Sequence, residues 1–207
     1  MRYADLAVDI RQMPPRLGNG GVRLVAIDGP SGAGKTQFAE RLAKHLDAPV
    51  VHTDDLLDGW DDQFTFWHRL EEQVLTPLRR GRSATYRRYL WERGEFGGPS
   101  CTVEPAPAVL LEGVSVARRE IRPELSLAVF VEAPADLRWK RVLARDGDDS
   151  VAFRAYLERW RAAENRHFAE DQTAAAADLL VDGAAATGDD RFARLPRPGD
   201  QDRTTKA

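Results

Sequence analysis

Eight consecutive residues near the amino terminus have the spacing of a phosphate-binding loop. The run Gly29-Pro30-Ser31-Gly32-Ala33-Gly34-Lys35-Thr36 fits the pattern G-x-x-x-x-G-K-[ST]. Glycines let such a backbone curl around an anion, and its N–H groups then point toward a phosphate. The Lys35 ammonium would contact the β- and γ-phosphates of a nucleotide, and the Thr36 hydroxyl could ligate Mg²⁺. The pattern therefore predicts a site for ATP and Mg²⁺ in residues 29–36, called here the phosphate-binding loop.

The segments on either side of this loop have the periodicities of a strand and a helix. Residues 22–27 form a short apolar, β-branched run, and Phe38, Leu42 and Leu46 recur every four residues. The second spacing is typical of one face of a helix. Strand, glycine loop and helix in this order favour a phosphate-binding loop over a chance glycine-rich turn.

Acidic residues follow two further apolar segments that are predicted to be strands. Asp54 and Asp55 come after one of them, and Glu112 ends the other. One of the aspartates could accept a proton from an acceptor hydroxyl, or both could cap a turn, and the sequence does not decide which is the base. Glu112 could hold Mg²⁺ opposite Thr36, or it could be an ordinary turn carboxylate.

Three arginines have the spacing of one helix face. Arg138, Arg141 and Arg145 are three and four residues apart, so on a helix their like charges repel by a few tenths of a kcal/mol per pair. A transferring phosphoryl group would relieve this repulsion, because arginine donors stabilise its charge. The alternative is a solvated face with local acids. The phosphate-binding loop favours at least one phosphate-contacting arginine.

Composition restricts the classes of protein that the chain can represent. It has 207 residues, a formal net charge of −3 and 43% hydrophobic residues, so we expect a soluble single domain and no nucleic-acid partner. Cys101 is the only cysteine, which excludes an internal disulfide and fits a reducing cytoplasm. No signal-peptide pattern and no apolar run of membrane-spanning length is present. We therefore expect a cytoplasmic protein without a membrane partner.

The rest of the chain alternates short apolar strands with helices. We predict helices at 3–11, 63–78, 134–146 and 150–170, strands at 49–53, 109–111, 127–131 and 179–183, an extended segment at 86–91 and a loop at 94–99. This alternation predicts an α/β fold with a mostly parallel sheet, whose ligands bind beyond the carboxyl ends of the strands. The loop and the acids should therefore converge. We expect one domain at 1–183 and a disordered tail at 184–207, where no apolar period remains.

These residues resemble the uridine kinase-like P-loop nucleoside kinases, which are related to phosphoribulokinase and pantothenate kinase. The resemblance covers about residues 22–183. Asp54 stands at the family's D-x-F-Y aspartate, Glu112-Gly113 at its E-G strand end, and residues 138–146 at its lid helix, R-L-x-R-R-x-x-R-D.

This resemblance implies a three-layer P-loop NTPase fold with a mostly parallel central sheet and a helical lid. It also implies Asp54 as the catalytic base, Lys35 as a catalytic phosphate contact and Glu112 as a magnesium-site carboxylate. Arg141 and Arg145 would be catalytic lid residues near the ATP phosphates.

Four residues depart from the family's pattern. Leu56-Leu57 replaces the aromatic pair after the aspartate, Val142 replaces one lid arginine, and Leu90 stands where the acceptor-site motif has an aspartate. The residues that we consider for the acceptor are Asp55, Tyr86, Arg88 and Trp91. Trp60 and Trp91 could stack on a base or sugar, or they could be packing residues; Trp67, Trp139 and Trp160 are predicted to pack in the core.

The favoured hypothesis is a small-molecule kinase that transfers the γ-phosphate of ATP to a hydroxyl group, with a nucleoside as the first candidate acceptor. Two alternatives stay open. A nucleoside-monophosphate kinase could hold its acceptor phosphate with Arg87, Arg88 and Arg93, and an ATP-binding regulatory module would transfer little. The sequence leaves the acceptor and the oligomeric state open, a homo-oligomer included.

Overall fold

A computed structural model of the chain describes residues 1–19, 21–146 and 150–197. Within them the strands are β1 (Arg23–Asp28), β2 (Val50–His52), β3 (Ala84–Leu90), β4 (Glu95–Val103), β5 (Ala108–Glu112), β6 (Leu125–Glu132), β7 (Leu179–Asp182) and β8 (Ala193–Arg194). The α-helices are α1 (Tyr3–Gln12), α2 (Lys35–Leu46), α3 (Trp67–Leu70), α4 (Thr76–Arg79), α5 (Ala135–Asp146), α6 (Val151–Asp171) and α7 (Thr173–Ala176).

Six of these strands form the central sheet, in the order β2-β5-β1-β6-β7-β8. All its pairs are parallel except β7 with β8. Strands β1 and β5 are interior strands of this sheet and are almost entirely buried, as expected for parallel strands covered on both faces. The predicted α/β fold with a mostly parallel sheet is confirmed.

Alternate residues of β1 serve the two faces of the sheet, because side chains in a strand point to opposite sides. Leu24 and Ala26 belong to one apolar cluster, which also contains residues of α3, α4 and the segment between them. Val25 and Ile27 belong to the other, with residues of α1 and α2. The result is three layers, helix, sheet and helix, with the carboxyl ends of the strands left free at one edge.

Two predicted elements between β2 and β5 differ from the structure. The helix expected at 63–78 starts at Trp67 and has a π-helical turn at Glu71–Leu75. The loop expected at 94–99 lies mostly in β4, which pairs antiparallel with β3. Glycine and proline disfavour strands, but the ladder with β3 supplies backbone partners, and a register shift near Tyr86 accommodates the irregularity.

The predicted disordered tail is wrong for residues 184–197. Strand β8 pairs with β7, so the strand predicted at 179–183 is not the last. Phe192 is buried, with its ring centroid 5.1 Å from that of Tyr3 and 5.2 Å from that of Phe38. One buried aromatic residue produces no hydrophobic periodicity, so the sequence did not indicate that this segment is ordered. The remainder of that tail, 198–207, lies outside the described residues.

Candidate active site

A cavity of about 880 Å³ opens at the carboxyl ends of β1, β2 and β5. Its lining includes Ser31, Gly32, Gly34, Lys35 and Thr36 of the phosphate-binding loop. Asp54 follows β2 and Glu112 ends β5, and both line the same cavity. The structure thus brings together a loop and two acids that are far apart in sequence. Helices α5 and α6 form the opposite wall.

The phosphate-binding loop has the backbone that a phosphate requires. Gly32 has a φ of +76°, and a Cβ there would come within 2.6 Å of the Arg138 carbonyl oxygen, so only glycine fits this position. Lys35 begins α2 and is buried, and its ammonium donates to the Pro30 carbonyl oxygen at 3.2 Å. The loop is therefore folded around the lysine at a helix N-terminus, which suits a nucleotide phosphate.

Asp28, the last residue of β1, holds the phosphate-binding loop in place. The sequence analysis did not identify this residue. Its carboxylate is fully buried and accepts three backbone N–H groups, from Gly29 at 2.7 Å, Ser115 at 2.9 Å and Ala117 at 2.8 Å. Burial raises the pKa of Asp28 to about 6 although these donors oppose the rise. The side chain joins the loop after β1 to the segment after β5. The sequence did contain a signal for this role, because Asp28 is an acid that ends an apolar strand directly before the loop.

The two adjacent aspartates have different partners. Asp54 is exposed to the cavity, and the surrounding protein together with the charge of Glu112 raises its pKa, against the opposing charges of Lys35 and Arg145. Asp55 does not line the cavity, and its carboxylate lies 3.2 Å from Nε of Arg88. Of the two carboxylates, Asp54 is the one placed to contact a ligand.

Glu112 has an environment that suits a magnesium ligand. Its Oε2 lies 2.7 Å from Nδ1 of His52, and the Thr36 side chain is also a hydrogen-bond partner. Burial alone would raise the pKa of Glu112, but the His52 hydrogen bond and the Lys35 charge outweigh it and lower that pKa. The carboxylate is therefore ionised near neutral pH.

The donor set fits Mg²⁺, since a hydroxyl and a carboxylate are the hard oxygen ligands that it takes. The described part of the chain contains no group of three or more His, Cys, Asp or Glu residues ready to hold a metal. A magnesium ion held by Thr36 and Glu112 would therefore need water and nucleotide phosphates as its other ligands, which is its usual coordination.

The three arginines of the predicted stripe have separate partners. Arg141 donates to the carbonyl oxygens of Gly32 at 3.1 Å and Gly183 at 3.0 Å, and Arg138 donates to that of Ala133 at 3.0 Å. Arg145 pairs with the neighbouring Asp146 and lines the cavity. Arg141 also lines the cavity, but its guanidinium is held by the loop carbonyl oxygens, whereas Arg145 has no such contact with the loop and could meet a phosphoryl group.

Aromatic side chains line part of the cavity. The ring centroid of Trp60 lies 4.8 Å from that of Trp91 and 5.6 Å from that of Trp160. Trp160 was predicted to be a core residue but lines the cavity. The proposed acceptor contacts Tyr86 and Arg88 do not line it. Tyr86 is buried in the core, which raises its pKa to about 12.

Part of the chain matches a family of known kinases. Residues 59–150 match the model of the Phosphoribulokinase / Uridine kinase family, a range that excludes the phosphate-binding loop. The chain is 26% identical over 145 residues to a uridine kinase of Schizosaccharomyces pombe, covering 60% of this chain and 32% of that protein. It is 32% identical over 123 residues to inorganic pyrophosphatase TTM2 of Arabidopsis thaliana, covering 55% of this chain and 18% of that protein.

The chain therefore spans less than a third of the length of these curated relatives. A solved structure from Bacillus stearothermophilus, described as a possible uridine kinase, has the same fold. Its TM-score is 0.61 at 21% identity, with 86% of this chain and 96% of that chain covered. The chain is thus similar over part of its length to the uridine kinase-like P-loop kinases, and its fold is that of a P-loop NTPase.

Proposed function

We propose that this protein is a P-loop kinase that uses ATP and Mg²⁺ to phosphorylate a hydroxyl group of a small molecule, with a nucleoside as the first candidate acceptor. The observation that carries the proposal is that Lys35, Asp54 and Glu112 line one cavity. Binding a nucleotide needs the lysine and its loop, but it does not need a second acid facing the same space. An acid in that place suits proton removal from an acceptor.

Each residue has a role that follows from its position. Bound ATP would supply the phosphoryl group, and its Mg²⁺ would neutralise part of the charge on the phosphates. Thr36 and Glu112 would hold the metal, and Lys35 and Arg145 would stabilise negative charge on the phosphates. Asp54 would orient the acceptor hydroxyl and take its proton as the oxygen bonds to phosphorus and ADP leaves. The raised pKa of Asp54 makes it a better proton acceptor than an ordinary aspartate.

One observation favours an ATP-binding module with little transfer activity as the second candidate. Leu90 stands where the family's acceptor-site motif has an aspartate, and the buried Tyr86 does not line the cavity, so neither supplies the polar contact that an acceptor would need. A monophosphate kinase has less support, because Arg88, one of the arginines available for a second phosphate, is paired with Asp55.

An acceptor panel tests the proposal. Nucleosides, nucleoside monophosphates and sugars are incubated with Mg·ATP, and phosphorylated products are measured by mass spectrometry beside ADP release. We expect one class of alcohol to be phosphorylated. Asp54→Asn should lower kcat by about 10²- to 10⁴-fold while the Kd for ATP changes little.

Asp55→Asn is the matched control. It removes the same charge at the neighbouring position, and the Asp55 side chain does not line the cavity. It should lower kcat much less than Asp54→Asn. Equal turnover by the wild type and Asp54→Asn with every acceptor would refute the assignment of the base. Tight ATP binding without product from any acceptor would favour the regulatory module.

A further inference from the structure

Helix α6 contacts the phosphate-binding loop through one buried carboxylate. Glu164 is 1% exposed. Its Oε1 accepts hydrogen bonds from the backbone N–H of Ser31 at 3.0 Å, from the Ser31 hydroxyl, and from Nε1 of Trp160 at 2.9 Å. The indole N–H also lies 3.2 Å from the same hydroxyl oxygen. Ser31 and Trp160, which are 129 positions apart in the sequence, thus share one carboxylate oxygen.

Trp160 extends this contact to the acceptor side of the cavity. Its ring packs edge-on against Trp60, which in turn packs against Trp91 directly after β3. We call these three side chains the aromatic wall. The Tyr156 hydroxyl fixes the same region by donating to the Trp60 carbonyl oxygen at 3.0 Å. A continuous series of contacts therefore joins Ser31 in the loop to the aromatic wall.

We propose that Glu164 is a positioning residue that holds the phosphate-binding loop and the aromatic wall in a fixed relation. The inference rests on the proposed function, since it assigns nucleotide to the loop and acceptor to the wall. Burying a carboxylate is costly unless its hydrogen bonds are made. Glu164 stays buried because donors from both partners meet on it, and the charge of Arg138 acts on it from α5.

Two substitutions separate the acceptor oxygen from the charge. Glu164→Ala leaves the Ser31 and Trp160 N–H groups without an acceptor, so the loop and the indole must rearrange. Glu164→Gln keeps a carbonyl oxygen at the same place and removes a negative charge beside the phosphate site. The exposed Glu158 on the same helix provides the control Glu158→Gln.

The experiment measures the Kd of the non-hydrolysable β,γ-imido analogue of ATP by calorimetry and the near-ultraviolet circular dichroism of the packed tryptophans. Glu164→Ala should weaken analogue binding by at least about tenfold, the size of losing a hydrogen bond to a charged group, and should change the tryptophan spectrum. Glu164→Gln should bind within about threefold of the wild type with a spectrum like the wild type. Glu158→Gln should alter neither.

The outcomes that overturn the inference are distinct. A Glu164→Ala protein with a lower Tm but wild-type affinity and spectrum would show that the residue serves stability alone. Tighter binding by Glu164→Ala would show that the carboxylate competes with phosphate for Ser31. Failure of the wild type to bind the analogue would refute the proposed function. The tryptophan spectra of the Glu164 variants would then be the only test of the contact between the loop and the aromatic wall.

A further variant covers the case in which Glu164→Ala does not fold. Trp160→Phe keeps an aromatic ring near Trp60 and removes the N–H donor together with part of the indole ring, a loss of volume that its control shares. It should weaken analogue binding by about threefold, as expected for one neutral hydrogen bond. Trp139→Phe is its control, because that ring lies over Arg161 outside the contact series. Equal affinity of both variants to the wild type would overturn the inference.

Discussion

Nδ1 of His52 lies 2.7 Å from Oε2 of Glu112, at positions that are register partners in the parallel pair of β2 and β5. The sheet itself thus sets the distance between a histidine and the carboxylate proposed to hold Mg²⁺. Partners of this kind orient metal ligands, and losing them costs about 10- to 100-fold in metal affinity or activity.

We therefore expect His52→Ala to raise the Mg²⁺ concentration for half-maximal activity by about 10- to 100-fold. His52→Gln, which can still donate a hydrogen bond, should have a smaller effect. The measurement is a magnesium titration at saturating ATP, with the exposed His68→Ala as control. An unchanged magnesium requirement in His52→Ala would exclude this role.

Arg141→Lys should weaken ATP binding more than it slows transfer. The guanidinium holds the carbonyl oxygens of Gly32 and Gly183 at once, whereas an ammonium group lacks the planar fork needed to hold both in place. We expect the KM for ATP to rise by about tenfold, the cost of one such hydrogen bond. Arg145→Lys, at a side chain that lines the cavity and is paired only with its neighbour Asp146, should mainly lower kcat. The opposite pattern in steady-state kinetics would reverse the two assignments.

Asp28→Asn should destabilise the fold. An asparagine has one acceptor oxygen, so its amide group must face at least one of the three N–H donors that now meet the carboxylate. Leaving a buried donor without an acceptor costs about 1–3 kcal/mol, and each kcal/mol lowers Tm by about 2–4 °C in a chain of this length. Thermal unfolding measures the loss. Asp9→Asn, at an exposed position on α1, should leave Tm unchanged.

The stability of the fold should decrease as the pH falls below about 6.5, in part because of His167. The Nε2 atom of His167 is buried and has no hydrogen-bond partner among the described residues. Burial lowers the pKa of His167. The charged groups that act on it are Asp171, Arg118, Glu120 and Arg122.

Because the folded pKa lies below the unfolded one, the unfolded chain takes up the proton first as the pH falls. The stabilisation is present above the ordinary histidine pKa of about 6.5 and is lost as the pH falls through the folded value. Urea unfolding at pH 7 and pH 5 measures this loss. It should be smaller in His167→Phe and unchanged in His68→Phe. An identical loss in wild type and His167→Phe would exclude the assignment.

Much of the sheet could be predicted because its signals are local. The apolar run of β1, the glycine spacing of residues 29–36 and the four-residue period of α2 are each contained in a few consecutive residues. The rule that ligands bind at the carboxyl ends of parallel strands then placed Asp54 and Glu112 beside the loop.

Features that depend on pairing between distant segments could not be predicted. The glycines and proline of β4 predict a loop from sequence, because the strand forms only by pairing with β3. Phe192 is buried only because Tyr3 and Phe38 pack against it, and the sequence around it does not indicate that contact. Glu164 follows Leu157 and Trp160 at helical spacing, which puts an acid on the buried face of α6. That spacing was a usable signal, but it did not identify the partner.

The amino-acid sequence by itself determined that a glycine loop with the phosphate-binding pattern follows the first strand, because the loop's conformational and charge requirements are met by adjacent residues. The tertiary structure alone decided that Arg141 binds the loop carbonyl oxygens while Arg145 does not, that Asp54 rather than Asp55 lines the cavity, and that Glu164 reaches Ser31. The physical reason is that a hydrogen bond or ion pair requires atoms within about 3 Å of each other. Only the packing of helices against the sheet brings residues from distant parts of the chain to that distance.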